Sequence, residues 1–182
     1  MVSIIIDNDT SLCTYTSDDA QKLFTAINNS RKHLRPWLDW VDKTTKMEHT
    51  LHFIQHSLQQ ANAHEGIALG IFYKQNIIGG VGMHQWDHKL KKAQIGYWIS
   101  KEYEGQGIMF KSLQRFIDFL FVKTGLNKIE IHFAASNKRS AKLAERLGCK
   151  VEGIIRQSVL RHGKIESMVI AGLLKNDWVV SG

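Results

Sequence analysis

The chain has 182 residues, 43% of them hydrophobic and 23% charged, the balance of a sequence that folds around a core and not of a disordered one. It carries one proline and no low-complexity tract, so no linker divides it and a single domain over residues 1–182 is expected. A formal net charge of +7 favours an anionic partner, whether nucleic acid, a ribosome surface or a phosphorylated cofactor, without choosing among them.

The opening MVSIIIDNDT has no basic segment ahead of its short apolar run, so it does not read as a signal peptide. Nowhere do about 18 apolar residues follow one another, which predicts no membrane span and a cytoplasmic location. Cys13 and Cys149 are isolated and read as two free thiols.

In chain order, Leu12–Tyr15 is a short strand. Ser17 then caps a helix from Asp18 to about Asn29, with acids where the helix dipole favours them. RPWLDW breaks the pattern at Pro36. A second helix runs from about Thr45 to Asn62, with Met47, Leu51, Ile54 and Leu58 on one stripe. The period then changes to that of strands in GIALGIFYK, NIIGGVGMHQWD and KAQIGYWIS, whose short connections predict an antiparallel meander.

A helix follows from about Gln106 to Thr124, burying Leu113, Phe116, Ile117 and Leu120. KIEIHFAA is a strand, and Asn137–Leu147 a helix closed by Gly148. KVEGIIRQSVLRH and KIESMVIAGLLK flank His162–Gly163 as a hairpin. The expected fold is α/β: a mixed, mostly antiparallel sheet with one parallel strand–helix–strand crossover and about four helices.

Gly105 and Gly107 stand where the third meander strand feeds the long helix. Glycine admits a sharp turn and the close approach of another group, and helix-start amides with the dipole would hold a phosphate. On the two glycines alone, a plain turn with no ligand is the simpler reading. A Rossmann fingerprint would need glycine at position 110, which is Phe110, and there is no Gly-Lys-Ser/Thr of a phosphate-binding P-loop. On the second helix His52 and His56 are four apart, but a metalloprotease pattern needs glutamate where Phe53 stands, so no metal is expected.

IGYWISKEYEGQGIM followed by NKRSAKLAERLGCKVEG resembles the GNAT superfamily of N-acetyltransferases. With RPWLDW near the amino terminus, it is most similar to the RimJ/RimL-type branch, which acetylates N-terminal amines of ribosomal proteins. The resemblance implies the GNAT fold and acetyl-CoA as co-substrate. The cofactor arm would lie along the strand through Ile95, Tyr97, Trp98 and Ile99. Its pyrophosphate would meet the amides of Gly105, Gln106, Gly107, Ile108 and Met109, and Asn137 would bond the arm while also capping its helix. Lys111, Lys138, Arg139 and Lys142 are basic residues near the expected phosphates. Glu102 stands where the family often has Gln or Arg.

Acetyl transfer from a thioester needs a deprotonated amine, a stabilised oxyanion and a proton for the departing thiolate. The position where many relatives carry an acidic tyrosine is Ala144, and Ser140 matches the serine proposed for that role in the RimL branch. Family carboxylate positions for the base fall on Gln94 and Val159, which leaves His84, Glu102, Glu104 and Asp87 as candidates. The expected acceptor is a protein N-terminal α-amine, with a ribosomal protein as candidate partner. Other readings are a small-molecule amine such as a polyamine, toxin or antibiotic, a non-catalytic acyl-CoA-binding module, or a nucleic-acid binder. A homodimer or higher homo-oligomer is a further expectation from the resemblance.

Overall fold

The computed structural model describes residues 1–161 and 163–178. The strands are β1 (Ser3–Ile5), β2 (Thr10–Thr14), β3 (Ile67–Tyr73), β4 (Asn76–Asp87), β5 (Lys92–Ile99), β6 (Lys128–Ala134), β7 (Lys150–Arg161) and β8 (Lys164–Leu174). The helices are α1 (Ala20–Leu34), α2 (Trp40–Lys43), α3 (Met47–Asn62), α4 (Ile108–Lys123) and α5 (Lys138–Arg146). All eight strands form one sheet in the order β1-β2-β3-β4-β5-β6-β8-β7. Every neighbouring pair is antiparallel except β5 and β6, which are joined through α4.

The mixed α/β sheet, the meander and the single parallel crossover are as the residue pattern predicts. Among the described residues five α-helices replace the expected four or so because α2 is one turn of four residues, too short to show a helical period. Its carbonyls are clamped from outside, since both terminal nitrogens of Arg31 donate to the backbone oxygens of Val41 and Thr44. The strand β1 was not expected, because three residues carry no readable alternation.

Helix ends differ in instructive ways. Thr16, not Ser17, opens the first helical segment: its backbone N–H and hydroxyl both donate to Asp19, and a short 3-10 turn precedes α1. That helix runs on to Leu34, past the expected end, because Ser30 and Leu34 stay buried on its inner face. Asn137 caps α5 and Gly148, at φ +82°, follows its end as expected. The β7–β8 hairpin closes at Arg161 opposite Lys164, and His162 of the expected turn lies outside the described residues.

Each face of the sheet carries its own apolar layer. On one side Leu113, Phe116, Ile117 and Leu120 of α4 are fully buried against Val81, Ile95, Ile129 and Ile131. On the other, Leu23 and Ile27 of α1 and Ile54 of α3 pack over Tyr15 and Ile77. Burying side chains of this size contributes about 1.5–3 kcal/mol each, so both layers pin the sheet between helices. β5 lies in the middle of that sandwich.

Candidate active site

β5 and β6 pair only over Lys92–Lys128, Ala93–Ile129 and Gln94–Glu130. Beyond that point each strand keeps its outer partner, β4 on one side and β8 on the other. The inner edges of Ile95–Ile99 and Ile131–Ala134 therefore part, and a cleft of about 690 Å³ opens between them. Sheet edges that face a gap present backbone donors and acceptors with no strand to satisfy them. An extended, amide-bearing chain fits such a gap as a surrogate strand.

The cleft runs to the start of α4. Gly107 is the N-cap residue of that helix, with φ +78° and no side-chain cap. Gly105 has the same φ, and a Cβ built on either glycine would meet nothing within 4 Å. The cradle is thus bare backbone facing open space, at the positive end of a 16-residue helix whose first turn holds no acid. Glu104 lines the cleft beside it, but its carboxylate is held by Arg139 at 2.6 Å and Lys101 at 3.1 Å.

Of the basic residues expected near phosphates, Arg139 and Lys142 line the cleft. Lys111 instead reaches Asp7 at 3.9 Å and Lys138 donates to the Ala135 carbonyl. Arg146 and Arg161 also line the cleft. Neither stood out in the sequence, since both are brought in by the tertiary fold.

Asn137 and Ser140 line the same cleft one turn apart on α5. Asn137 Oδ1 accepts from the Ser140 amide at 3.1 Å, which leaves its side-chain NH₂ as a donor. The Ser140 hydroxyl accepts from the Tyr97 hydroxyl of β5 at 3.2 Å. Burial raises the Tyr97 phenol to about 12, outweighing the opposing bond to Ser140, so Tyr97 stays protonated and donates. Ser140 Oγ then has its own proton free to give. This two-hydroxyl relay joins residues 43 apart in sequence.

A second cavity of about 610 Å³ adjoins β5. Gly96, Tyr97 and Trp98 line both spaces, so the two meet at that strand. Tyr15, Trp40, Phe53 and Trp98 give the second cavity an aromatic lining, with Trp40 and Trp98 edge to face at 6.2 Å. Its lysine and histidine lining is Lys43, His49 and His84, and among the described residues no Asp or Glu faces it. The segment after α1 covers both mouths: Leu38 lines each cavity, and Asp39 is tied to Arg161 of β7.

A family model for the acetyltransferase (GNAT) domain matches residues 11–150. The chain belongs to this family. It is an N-acetyltransferase, and acetyl-CoA is the co-substrate of the GNAT enzymes. YdaF of Bacillus subtilis (strain 168), whose name marks it as a candidate ribosomal N-acetyltransferase, is 30% identical over 161 residues, 88% of each chain. The ribosomal-protein-serine acetyltransferase of Escherichia coli (strain K12) is 24% identical, covering 86% of this chain and 87% of its own length. In fold, the chain superposes on RimL, a ribosomal L7/L12 α-N-protein acetyltransferase solved with coenzyme A. The TM-score is 0.91 at 21% identity, covering 95% of this chain and 98% of that one.

For a GNAT enzyme the cradle and cleft have the right shape: open space over positive-φ glycines for phosphates and a parted strand edge for an amide-bearing arm. Of the residues expected to contact the cofactor, Ile95, Tyr97, Trp98, Ile99, Gly105, Gly107, Ile108, Met109 and Asn137 all line this cleft. Gln106 does not line it; its side chain turns back to the Glu102 carbonyl at 2.8 Å. The four base candidates part company. Glu102 sits exposed on a one-turn 3-10 helix and lines neither cavity, whereas His84 lines the aromatic one. Glu104 lines the cofactor cleft with its charge already paired, and Asp87 accepts from the Leu90 amide at the β4–β5 turn. Among the described residues no group of three or more His, Cys, Asp or Glu is placed to hold a metal.

Proposed function

We propose that this enzyme acetylates the α-amino group of a protein N terminus, with a cytoplasmic ribosomal protein as the first candidate acceptor. One observation carries the reading: a cofactor-shaped cleft and a separate, carboxylate-free cavity meet at Gly96–Trp98 of β5. Acetyl-CoA would supply the thioester from the cleft side. The acceptor amine would enter from the aromatic side, with its neighbouring residue against Trp40 and Trp98. Ser140, backed by Tyr97, would protonate the departing thiolate.

The second cavity also speaks to the class of amine. A polyamine carries several positive charges, and a site for it needs carboxylates to replace their hydration; this lining offers Lys43 and two histidines instead. An α-amine has a pKa near 7.7–8.0 and a lysine amine near 10.4, so at about pH 7.5 freeing the first costs under about 1 kcal/mol and the second about 4. A site without a strong carboxylate base is suited to the smaller cost.

The experiment is acetylation of one peptide sequence with either its α-amine or its lysine blocked, beside spermidine, near neutral pH. The lysine-blocked peptide should be acetylated at least about tenfold faster than the other two. Faster acetylation of lysine or spermidine would refute the reading.

A further inference from the structure

On the acetyl-transfer reading above, the proton lost by the attacking amine needs an acceptor, and the two family carboxylate positions are Gln94 and Val159. From the geometry around Gln94 we infer that His132, held by Glu130, is the general base. Gln94 is the last β5 residue paired to β6, opposite Glu130. His132 lies two residues further along β6, on the same face of the strand, and lines the cleft at the point where the strands part.

The pair is built for this work. Glu130 is only 7% exposed, and its Oε2 lies 3.0 Å from His132 Nε2. A carboxylate at that nitrogen fixes the proton there and leaves Nδ1 with its lone pair. Burial alone would raise the Glu130 carboxyl. The bond to His132, the bond and charge of Lys128 and the charge of Lys92 overcome it and hold the group below the usual range. Glu130 is therefore a fixed anion, positioned to stabilise the imidazolium that forms when Nδ1 takes a proton.

The surroundings favour His132 over the other histidine. Burial pushes His84 down, its bond to the neutral amide of Gln94 opposes this, and the charge of His132 adds a smaller downward push. An amide cannot stabilise an imidazolium as a carboxylate does. The titratable and charged groups around His132 are Glu130 beside it on β6, His84 on β4, Lys92 on β5 and Lys128 on β6 (both on Glu130), and Arg161 of β7 across the cleft. Lys128 is itself shared with Glu152 of β7, and β8 opposes His132 with Ile170. Glu130 is the carboxylate in direct contact.

The step balances without another reagent. The amine nitrogen forms a bond to the thioester carbonyl carbon and passes a proton to His132 Nδ1, directly or through one water. The carbon–sulfur bond breaks, the thiolate takes the Ser140 hydroxyl proton, solvent restores that proton, and the imidazolium returns its own to solvent.

The test is kcat and kcat/KM against pH with a free-α-amine peptide for the unaltered enzyme, H132Q, E130Q and H84Q. Turnover by the unaltered enzyme checks the acetyl-transfer reading itself, so failure there is distinct from failure of the base assignment. H132Q should lose about 10²- to 10³-fold in kcat, keep its acetyl-CoA dissociation constant within about threefold, and lose the histidine limb at low pH, leaving only the amine's own titration. E130Q should retain more activity and move that limb to lower pH, because a neutral partner no longer stabilises the imidazolium. A kcat for H132Q within about threefold of the unaltered enzyme, with the limb unchanged, would overturn the inference. So would transfer of the whole loss and of the pH limb to H84Q.

Discussion

A side chain added at Gly79, inside the β4–β5 ladder, would place its Cβ 2.5 Å from the Trp98 carbonyl oxygen and 3.2 Å from Ile99 Cα. One added at Gly105 or Gly107 would meet nothing within 4 Å, yet both residues hold φ near +78°. Two regions of one strand's surroundings thus use glycine for different ends. In the ladder the protein itself fills the space a side chain would take. At the start of α4 the space stays open while the backbone holds a conformation that L side chains rarely adopt. Gly125 and Gly163 share the open space and the positive φ outside the cleft, so it is the cleft beside Gly105 and Gly107 that fits theirs to a ligand.

Substitutions can sharpen this contrast. Gly107→Glu should weaken acetyl-CoA binding by at least about 100-fold, since it sets a carboxylate where phosphates approach and like charges cost several kcal/mol. Calorimetry measures the loss, and a folded variant with unchanged affinity would move the phosphate site elsewhere. Ser140→Ala should lower kcat by roughly 10- to 100-fold, toward the low end of general-acid effects because a thiolate leaves readily. Its acetyl-CoA affinity should change little, and unaltered turnover would mean another donor protonates the thiolate.

On the crowded side, Gly79→Ala forces backbone to shift, at about 1–3 kcal/mol. For a chain of this size that lowers Tm by about 2–4 °C for each kcal/mol. Its acetyl-CoA affinity should hold wherever it folds. The smallest effect belongs to Gly105→Ala, whose cost is conformational: about 1–2 kcal/mol of left-handed strain. Thermal melting of the pair separates the two causes. Equal loss of cofactor affinity in both variants would erase the distinction between ladder and cradle.

The same contrast explains what the residues alone disclosed. Gly105, Gly107 and Asn137 announce themselves by type and by position at helix starts, where local backbone needs decide the residue. The meander strands and the α4 stripe carry clean periods for the same local reason. The length of the β5–β6 pairing is not local. Nothing in KAQIGYWIS or KIEIHFAA marks Gln94 and Glu130 as the last rung, because the parting depends on what packs over both faces. With that rung hidden, so are its consequences. His132 and Glu130 read as ordinary strand positions, and Tyr97 and Ser140 sit 43 residues apart. Arg161 lies near a hairpin tip with no sign that it reaches Asp39 and the cleft. Glu102 drew notice as a departure from a family pattern, whereas its place on an exposed turn follows only from the fold.

The most direct test of the two-cavity account is a crystal structure with a bisubstrate analogue, a short peptide whose α-nitrogen is joined through an acetyl spacer to the sulfur of coenzyme A. The account predicts the pyrophosphate on the amides of residues 105–109, the arm against the open edge of Ile95–Ile99, and the spacer crossing at Gly96–Trp98. The first peptide residue should then lie against Trp40 and Trp98. A peptide lying outside the aromatic cavity, or a coenzyme that leaves the parted edge of β5 untouched, would contradict it.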